Sequence, residues 1–391
     1  MVSINFEEKV MLHFPIYLDN CATTPMDERV LETMLPFFTK YFGNAASHSH
    51  AFGWQAEEAV KQAREQVAEL IGAEPNEIVF TSGATESDNL ALKGIFDSHK
   101  TKGNHIITLN TEHRAVLDSC IHLEKNGAEV SYLSVNRNGL IDLDELENSI
   151  KSTTILIAVM HANNETGVIQ PIKEISKIAH KNQILFFTDA TQVVGKMPIK
   201  VIENDIDLMA FSAHKMYGPK GAGALFVRRK SPRVRLIAQI DGGGHERGLR
   251  SGTLNVPAIV GFGKAAQLCQ MEMENDTANS RRLRDKLEQE LIKTNKVFIN
   301  GDIQYRLPNV SNLSFANRNA VQLISDLSKN IALSSGSACT SGTHEPSFVL
   351  KAMGLTDQQA LSSLRFGLGR FTTEEEIDYT IRQFVELLQE D

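Results

Sequence analysis

Cysteine is scarce in this sequence: Cys21, Cys120, Cys269 and Cys339 are spread over 391 positions. No two of them show the close spacing of a zinc knuckle or a redox motif, and their scatter suggests no disulfide framework. The sequence therefore argues against a small disulfide-stabilised fold and favours a reducing compartment such as the cytoplasm. Cys120 and Cys269 fall on predicted helices, where we expect them to be buried as small apolar side chains.

Long hydrophobic runs are also absent. No stretch approaches the roughly 20 apolar residues that a membrane-spanning helix needs. Residues 1–13 have neither the basic start nor the apolar centre of a secretory signal. The net charge of −8 argues against a broad nucleic-acid surface. We therefore expect a cytoplasmic protein without membrane partners and without direct DNA binding.

The composition is otherwise typical of a folded globular chain, with 42% apolar and 23% charged residues. At about 100–200 residues per domain, the length predicts two domains, or one large and one small. In the first part of the chain, strand-like and helix-like segments alternate. Strands are predicted at 78–80, 105–109, 129–135, 155–160, 184–188 and 208–211, and helices at 113–125 and 172–181. The alternation predicts an α/β fold with a mostly parallel, doubly wound sheet that is covered on both faces.

The second part of the chain has a different pattern. A long, highly charged helix is predicted from 257 to about 293, followed by strands near 310–315, 331–333 and 364–367 and a terminal helix from Glu374. We expect a large domain over residues 15–256. A smaller α+β domain is expected over residues 257–391, with residues 1–14 packed nearby.

Lys215 is the first candidate for chemistry. It follows the apolar strand at 207–211 and lies in the segment 212–221, SAHKMYGPKG. A lysine at the end of a buried strand, beside the hydroxyl of Ser212 and the imidazole of His214, suits a Schiff base to an aldehyde cofactor. A solvated loop lysine is the alternative, and for an isolated lysine it is the commoner one.

Three further signals lie at strand ends, where ligands bind in sheets of this kind. Residues 82–87, SGATES, place small residues before a helix, and such an N-terminus with the Thr85 hydroxyl suits an anion. Asp189 ends an apolar strand and can keep a pyridine nitrogen protonated, while Gln192 can reach a ring hydroxyl. His113 opens a helix and can stack on a planar ring and pass protons. Taken singly, each residue is equally typical of a helix cap or a turn.

The order and spacing of these signals resemble the pyridoxal 5′-phosphate enzymes of the aminotransferase-like fold type I. Among them, the sequence is most similar to the class-V cysteine desulfurases of the IscS/NifS type. The matching stretches are 17–25 (YLDNCATTP), 82–89 (SGATESDN), 162–167 (ANNETG) and 242–248 (GGGHERG). The resemblance covers about residues 15–388, and its motifs are highly specific. It implies the same fold, pyridoxal 5′-phosphate as cofactor, L-cysteine as substrate and a homodimer.

The resemblance also implies a role for each cofactor-binding residue. Lys215 carries the cofactor and is catalytic together with His113. The residues implied to hold the phosphate are Ala84, Thr85, Ser212 and His214, with Thr253 reaching the cofactor of the neighbouring subunit. The residues implied to contact the ring are His113, Asp189 and Gln192. Asn164 would contact the ring hydroxyl or the substrate. Arg365 would bind the substrate carboxylate as a bidentate fork, with Arg370 as the alternative.

Cys339 lies in residues 333–343, LSSGSACTSGT, whose small and hydroxylated residues predict a mobile loop. By the resemblance, Cys339 is the catalytic residue that takes the substrate sulfur as a persulfide while L-cysteine becomes L-alanine. The resemblance implies a sulfurtransferase that supplies acceptor proteins such as an iron–sulfur scaffold, with tRNA thiolation as a further destination. No resident metal is expected, although Cys339 could serve as a transient iron–sulfur ligand with a scaffold partner.

Two alternatives stay open at this point. A selenocysteine lyase or an aminotransferase could share the fold and cofactor, but neither needs a cysteine at position 339. A catalytically silent scaffold could keep the fold alone, and the presence of Lys215, Asp189 and Cys339 weighs against it. Family members that engage a scaffold through a C-terminal tail extend further than Asp391, so docking of that kind is in doubt. Cys21 is close to the site in sequence order but is given no catalytic task.

Overall fold

The computed structural model describes residues 12–336 and 345–389. The strands in this part of the chain are β1 (Ile16–Tyr17), β2 (Ile78–Thr81), β3 (His105–Leu109), β4 (Glu129–Leu133), β5 (Thr154–Ala158), β6 (Leu185–Asp189), β7 (Leu208–Ser212), β8 (Gly223–Val227), β9 (Val297–Ile299), β10 (Val310–Phe315), β11 (Ile331–Ala332) and β12 (Ser363–Gly367). Seven of them form the central sheet, in the order β2-β8-β7-β6-β5-β3-β4. Only β8 runs antiparallel to its neighbours. The other six strands therefore end at the same side of the sheet.

Helices flank the sheet and form most of the remaining layers. They are α1 (Glu28–Met34), α2 (Pro36–Thr39), α3 (Ala51–Ile71), α4 (Ala84–His99), α5 (Arg114–Glu124), α6 (Leu143–Asn148), α7 (Ile172–Lys181), α8 (Val256–Ile292), α9 (Ala320–Leu327), α10 (Phe348–Ala352), α11 (Asp357–Leu361) and α12 (Glu374–Gln389). Within residues 12–336 and 345–389, no helix is both long enough and apolar enough to cross a lipid bilayer.

Both faces of the central sheet are buried, because successive side chains of a strand point to opposite faces. Phe186 packs into one hydrophobic cluster and Phe187 into another, and Ile107 and Ile106 divide in the same way. The first cluster is covered by α3, α7 and the first half of α8. The second is covered by α4 and α5. Strands buried on both faces explain the nearly continuous apolar runs in the sequence.

A third hydrophobic cluster lies around the antiparallel sheet β12-β10-β9. The second half of α8 and α12 contribute Leu287 and Phe384 to it. Residues 16–24, here named the N-terminal segment, join this cluster through Ile16 and Leu18. Strand β1 of that segment pairs in parallel with β11, and Asn20 Nδ2 donates to Gly367 O at 2.9 Å.

The predicted α/β fold with a mostly parallel sheet is confirmed. The predicted strand at 105–109 and helix at 172–181 match β3 and α7, and the predicted helix at 257–293 matches α8 within one residue. Three strands of the structure, β1, β8 and β9, were not predicted. The division at residue 256 stays a prediction; α8 begins there, and its two halves pack into different clusters.

Candidate active site

A cavity of about 500 Å³ lies beside the ends of β6 and β7. The N-terminal segment, the loop after β2 and the start of α4 close its sides. The predicted site residues that line it are Ala84, Thr85, His113, Asn164, Asp189, Gln192, Ser212, His214, Lys215 and Arg365. The structure therefore brings together ten side chains that come from widely separated parts of the sequence.

An uncapped helix N-terminus forms one wall of the cavity. Helix α4 begins at Ala84 after Gly83, and no side chain caps this end. The first N–H groups of the helix and the positive end of its dipole attract an anion. A glycine at position 223 is needed for this arrangement, because a Cβ there would lie 2.5 Å from Gly83 Cα. Strand β8 thus packs directly against the loop that precedes the helix.

Ser212 and His214 line the same cavity as this helix end. Ser212 Oγ would lie 3.8 Å from a Cβ placed on Gly83, so the hydroxyl is near the start of α4. His214 Nδ1 lies 3.1 Å from Thr23 Oγ1. Burial, assisted by the charge of Lys215, lowers the pKa of His214 to about 4. The imidazole is therefore neutral at physiological pH and can bind an anion as a hydrogen-bond donor.

Lys215 has no acidic partner in the described part of the chain. Its Nζ donates to the backbone carbonyls of Cys21 at 2.5 Å and Ala22 at 2.7 Å. Burial lowers the pKa of Lys215 to about 8, and the positive charge of Lys196 contributes in the same direction. A substantial fraction of the amine is then neutral near pH 7–8, which is the form that attacks an aldehyde.

Asp189 lies at the end of β6 and accepts a hydrogen bond from Thr191 N at 2.9 Å. Two other buried acids, Asp88 and Glu112, are close enough to influence each other and Asp189 electrostatically. Burial raises the pKa of both Asp88 and Glu112 well above the ordinary value, and the charge of Asp189 adds to the effect. In both side chains the buried surroundings therefore favour the protonated form over the charged one.

His113 is both the N-cap of α5 and part of the cavity wall. Its Nδ1 accepts a hydrogen bond from Ala115 N at 3.1 Å. A nitrogen that accepts carries no proton, so the neutral ring bears its proton on Nε2. Burial lowers the pKa of His113, and the charge of Asp189 opposes that effect. The sequence left two roles open for His113, a helix cap and a contact with a cofactor ring, and its position in the structure is compatible with both.

Arg365, on β12, is 1% exposed and lines the cavity. One Nη donates to Asp19 Oδ1 at 2.8 Å and the other to Asn164 O at 2.9 Å. Within the described residues, Arg365 Nε has no hydrogen-bond partner although it is buried. A buried guanidinium with an unpaired N–H suits the carboxylate of a small substrate. Arg370, the alternative clamp, pairs with Asp27 and Asp276 instead and does not line the cavity.

One of the predicted residues in the described part of the chain does not line this cavity. Thr253 is exposed and lies in a neighbouring pocket, which shares Ser82 and Gly221 with the main cavity. Cys339 lies outside the described residues. In the part of the chain that the structure describes, no three His, Cys, Asp or Glu side chains cluster as metal ligands would.

Comparison with known proteins places this arrangement in a family. Residues 16–380 match the aminotransferase class-V family. Cysteine desulfurase IscS of Klebsiella pneumoniae (strain 342) is 57% identical over 372 residues, which are 95% of this chain and 92% of that protein. The chain belongs to the cysteine desulfurases of the aminotransferase class-V family. Two solved structures agree with this. A NifS-like protein has 37% identity and a TM-score of 0.89, over 96% of this chain and 99% of that chain. SspA in complex with cysteine has 38% identity and a TM-score of 0.80, over 92% of this chain and 100% of that chain.

Enzymes of this class-V family depend on pyridoxal 5′-phosphate, so the predicted cofactor is confirmed. The cavity fits that group at both ends. The uncapped start of α4 and the donors of Ser212 and His214 match a phosphate, and the Asp189 carboxylate matches a ring nitrogen. Lys215 lines the same cavity, its amine has no acidic partner among the described residues, and it matches the aldehyde.

Three residues of this desulfurase site were not predicted from the sequence. Cys21 supplies the carbonyl that accepts from both Lys215 Nζ and Gln192 Nε2. Asp88 lines the cavity, and Lys196 lies behind Gln192. The spacing gave a signal for two of them: Asp88 follows Thr85 by three residues, and Lys196 follows Gln192 by four, which are distances that bring side chains together in a helical turn.

Proposed function

We propose that this protein converts L-cysteine to L-alanine and transfers the sulfur, as a persulfide on Cys339, to acceptor proteins. The observation that carries the proposal is the cavity that holds both the reactive amine of Lys215 and the guanidinium of Arg365. Those two groups match the amino and carboxylate ends of an amino acid. The family to which the chain belongs supports L-cysteine as that amino acid, as does the cysteine complex of the SspA relative.

The bound cofactor supplies an aldehyde that condenses with amines and a ring that takes up the electron pair of the substrate Cα–H bond. In this proposal Ala84, Thr85, Ser212 and His214 hold the phosphate. Asp189 keeps the proton on the ring nitrogen, and Gln192 donates to the ring hydroxyl.

The substrate is handled by a separate group of side chains. Arg365 and Asn164 orient the carboxylate of L-cysteine so that its Cα–H faces Lys215. Lys215 Nζ then accepts the Cα proton, which its lowered pKa permits near pH 8. His113, with its proton on Nε2, can exchange a proton with the groups that leave the substrate during the reaction.

Sulfur transfer balances without an external oxidant. The Cys339 thiolate attacks the substrate sulfur, the S–S bond of the persulfide forms, and the Cβ–S bond of the substrate breaks. The electron pair of that bond stays on Cβ, which takes up a proton. Cα then recovers its own electron pair and takes back the proton held by Lys215, and L-alanine is released. The persulfide sulfur then passes to an acceptor protein. We propose an iron–sulfur scaffold as the acceptor and tRNA thiolation as a further use, and we expect the protein to work in the cytoplasm.

We also propose that the functional unit is a homodimer. Thr253 is exposed, outside its own chain's main cavity, and so is available to the phosphate of a partner's cofactor. Several large apolar side chains between residues 35 and 54 are exposed as well: Leu35, Phe38, Phe42, Phe52 and Trp54. A second subunit that covered them would remove an unfavourable apolar surface.

Turnover of L-cysteine tests the proposal directly. The holoprotein is expected to release alanine and, with a thiol reductant present, an equal amount of sulfide. Cys339→Ala should reduce both products to background while keeping the bound cofactor. Lys215→Ala should lose roughly 10²–10⁴-fold in rate, as expected for removal of an acid–base group.

Cys120→Ala is the matched control, since Cys120 is buried in the second hydrophobic cluster and does not line the cavity. It should turn over at the wild-type rate. Full desulfuration by Cys339→Ala would contradict the persulfide route. Release of a keto acid in place of alanine would instead indicate an aminotransferase.

A further inference from the structure

Lys196 is a buried lysine that the proposed reaction does not use. It is 6% exposed, and its backbone is fixed by a hydrogen bond from Thr277 Oγ1 on α8 to Lys196 O at 2.6 Å. Its Nζ donates to Gln192 Oε1 at 3.0 Å. Within residues 12–336 and 345–389, no carboxylate lies within 4 Å of this ammonium group, and the side chain stays behind the wall of the cavity.

The contacts with Lys196 and with Cys21 O together decide which way the Gln192 amide points. A lysine ammonium can only donate, so the atom of Gln192 that faces it must be the carbonyl oxygen. The NH₂ group must then face the opposite way, where it donates to Cys21 O at 2.9 Å beside the cavity. Lys215 Nζ donates to the same Cys21 oxygen. A continuous row of hydrogen bonds therefore joins Lys196, Gln192, Cys21 and Lys215.

The charge of Lys196 acts on Lys215 as well. After burial, Lys196 is the largest influence that lowers the pKa of Lys215. The other charged or titratable groups that face Lys215 are Cys21, His113, Asp189, His214 and Arg365. Those that face Lys196 are Cys21, His214, Lys215, Cys269 and Arg365.

A structural role alone does not account for a lysine at this position. Burial of an ammonium group without an acidic partner disfavours the folded state, and burial accordingly lowers the pKa of Lys196. A methionine of similar length would fill the same space without that penalty. The position thus carries a cost in stability that packing does not explain.

We propose that Lys196 is a positioning residue: its ammonium group turns the donor side of Gln192 toward the cavity, and its charge keeps the amine of Lys215 reactive. The proposal rests on the proposed function only in that Lys215 and Gln192 face the cofactor. Lys196 touches neither substrate nor reacting atoms.

Three substitutions separate the two effects. Lys196→Met removes both the charge and the donor, Lys196→Gln removes the charge but keeps an N–H donor, and Lys196→Arg keeps both. Lys200→Met is the matched control, because Lys200 follows in the same segment and donates only to Glu69 O. All four are compared with the wild type as full-length proteins.

The first measurement is the reactivity of Lys215 in full-length protein freed of cofactor. A brief pulse of an amine-acylating reagent at pH 6–10, followed by mass spectrometry, gives its rate relative to the exposed Lys293. We expect Lys196→Met and Lys196→Gln to react roughly tenfold more slowly at pH 7, corresponding to about one pKa unit. Lys196→Arg and Lys200→Met should react as the wild type does. The melting temperature of Lys196→Met should equal or exceed that of the wild type.

The second measurement is the affinity for added pyridoxal 5′-phosphate, followed by visible absorbance. Lys196→Met should bind more weakly than Lys196→Gln, because only the methionine variant leaves Gln192 Oε1 without a donor and its amide held by the Cys21 contact alone. If Lys215 were acylated at the wild-type rate in both Lys196→Met and Lys196→Gln, the proposed effect of the Lys196 charge would be wrong. If these two variants bound pyridoxal 5′-phosphate with equal affinity, the proposed orientation of Gln192 by Lys196 would be wrong. Neither readout requires desulfuration, so a failure here is distinguishable from a failure of the proposed function.

Discussion

Among the described residues, neither carboxyl oxygen of Asp88 has a hydrogen-bond partner, although the side chain is buried. The charged groups that face it are Glu112 and Asp189, and both are acidic. The strands packed against α4 bring mainly apolar side chains to this region. Asp88 therefore has no cation to stabilise its charged form, and burial raises its pKa well above the ordinary value.

This raised pKa makes the stability of the protein depend on pH. Above about pH 4 the unfolded chain loses the Asp88 proton and the folded chain keeps it, so the free energy of unfolding falls as pH rises toward the folded pKa. An asparagine side chain at this position cannot ionise in either state. With Asp88→Asn, the decline in unfolding free energy between pH 5 and 6 should be shallower, by at most about 1.4 kcal/mol per pH unit. Urea denaturation across this range measures the slope.

Asp118→Asn serves as the control, because Asp118 is mostly exposed on α5. It should leave the slope unchanged. If Asp88→Asn showed the same pH dependence as the wild type, Asp88 would have to be ionised in the folded protein.

The sequence was informative about residues whose position follows from a strand end. Asp189, Lys215 and Thr85 were predicted to lie together because the strands of such a sheet end at one side, and all three line the cavity. Lys196 could not be found in this way, since its importance depends on a hydrogen bond to Gln192 and on the absence of an acidic partner. Burial and pairing are properties of the folded chain, and the spacing of residues does not contain them.

At the scale of elements, the close approach of Gly83 and Gly223 links the phosphate end of the cavity to β8. An added Cβ on Gly223 would also lie 2.9 Å from Phe211 O, so backbone atoms surround it on two sides. Phe211 cannot move away without shifting β7, and Gly83 cannot move away without shifting the loop before α4. This contact sets the position of the helix end that faces the cavity.

Gly223→Ala is therefore expected to destabilise the protein by about 1–3 kcal/mol or more through overpacking. It should also weaken the affinity for pyridoxal 5′-phosphate, because the start of α4 must move. Urea denaturation and absorbance titration measure the two effects.

Gly127→Ala provides the comparison. Gly127 has a φ of +93° and nothing within 4 Å of an added Cβ, so its cost is backbone strain of about 1–2 kcal/mol. Its affinity for the cofactor should stay at the wild-type value. Normal cofactor affinity in Gly223→Ala would show that the helix end does not depend on this contact.

The elements with strong periodicity were the ones that the sequence predicted well. The apolar run of β3 and the helical periodicity of α7 are long enough to define their bounds. Strand β8 was missed because its apolar residues follow the glycine-rich stretch at 218–223, which favours a loop. Its partner β2 lies far away in sequence, and the pairing with β2 and β7 makes it a strand.

At the scale of the whole molecule, the proposed homodimer makes a prediction about mixed subunits. If Thr253 completes the partner's site, Thr253→Ala should bind pyridoxal 5′-phosphate about 10–100-fold more weakly, which corresponds to the loss of a hydrogen bond to a charged group. A mixed dimer of Thr253→Ala with Lys215→Ala contains one site with both residues intact. Mixing should therefore restore tight binding at that site, and absorbance titration measures it.

Mixing with the double variant Lys215→Ala and Thr253→Ala is the control, since no site then has both residues. This mixture should not restore tight binding of pyridoxal 5′-phosphate. A sedimentation mass near one subunit, 43.3 kDa, would contradict the dimer itself. Equal affinities in both mixtures would instead place Thr253 within its own subunit's site.

The N-terminal segment also determines when the site can form during synthesis. Its carbonyls at Cys21 and Ala22 hold Lys215, yet the segment itself is held by contacts with Arg365 and Gly367, about 346 residues later in the chain. At roughly 5–20 residues per second, those partners emerge about 20–70 s after the segment does. Cys21 and Ala22 therefore cannot take up their final positions in the cavity until Arg365 and Gly367 have been synthesised. Capture of the cofactor in its final geometry is consequently expected only after Arg365 and Gly367 have emerged from the ribosome.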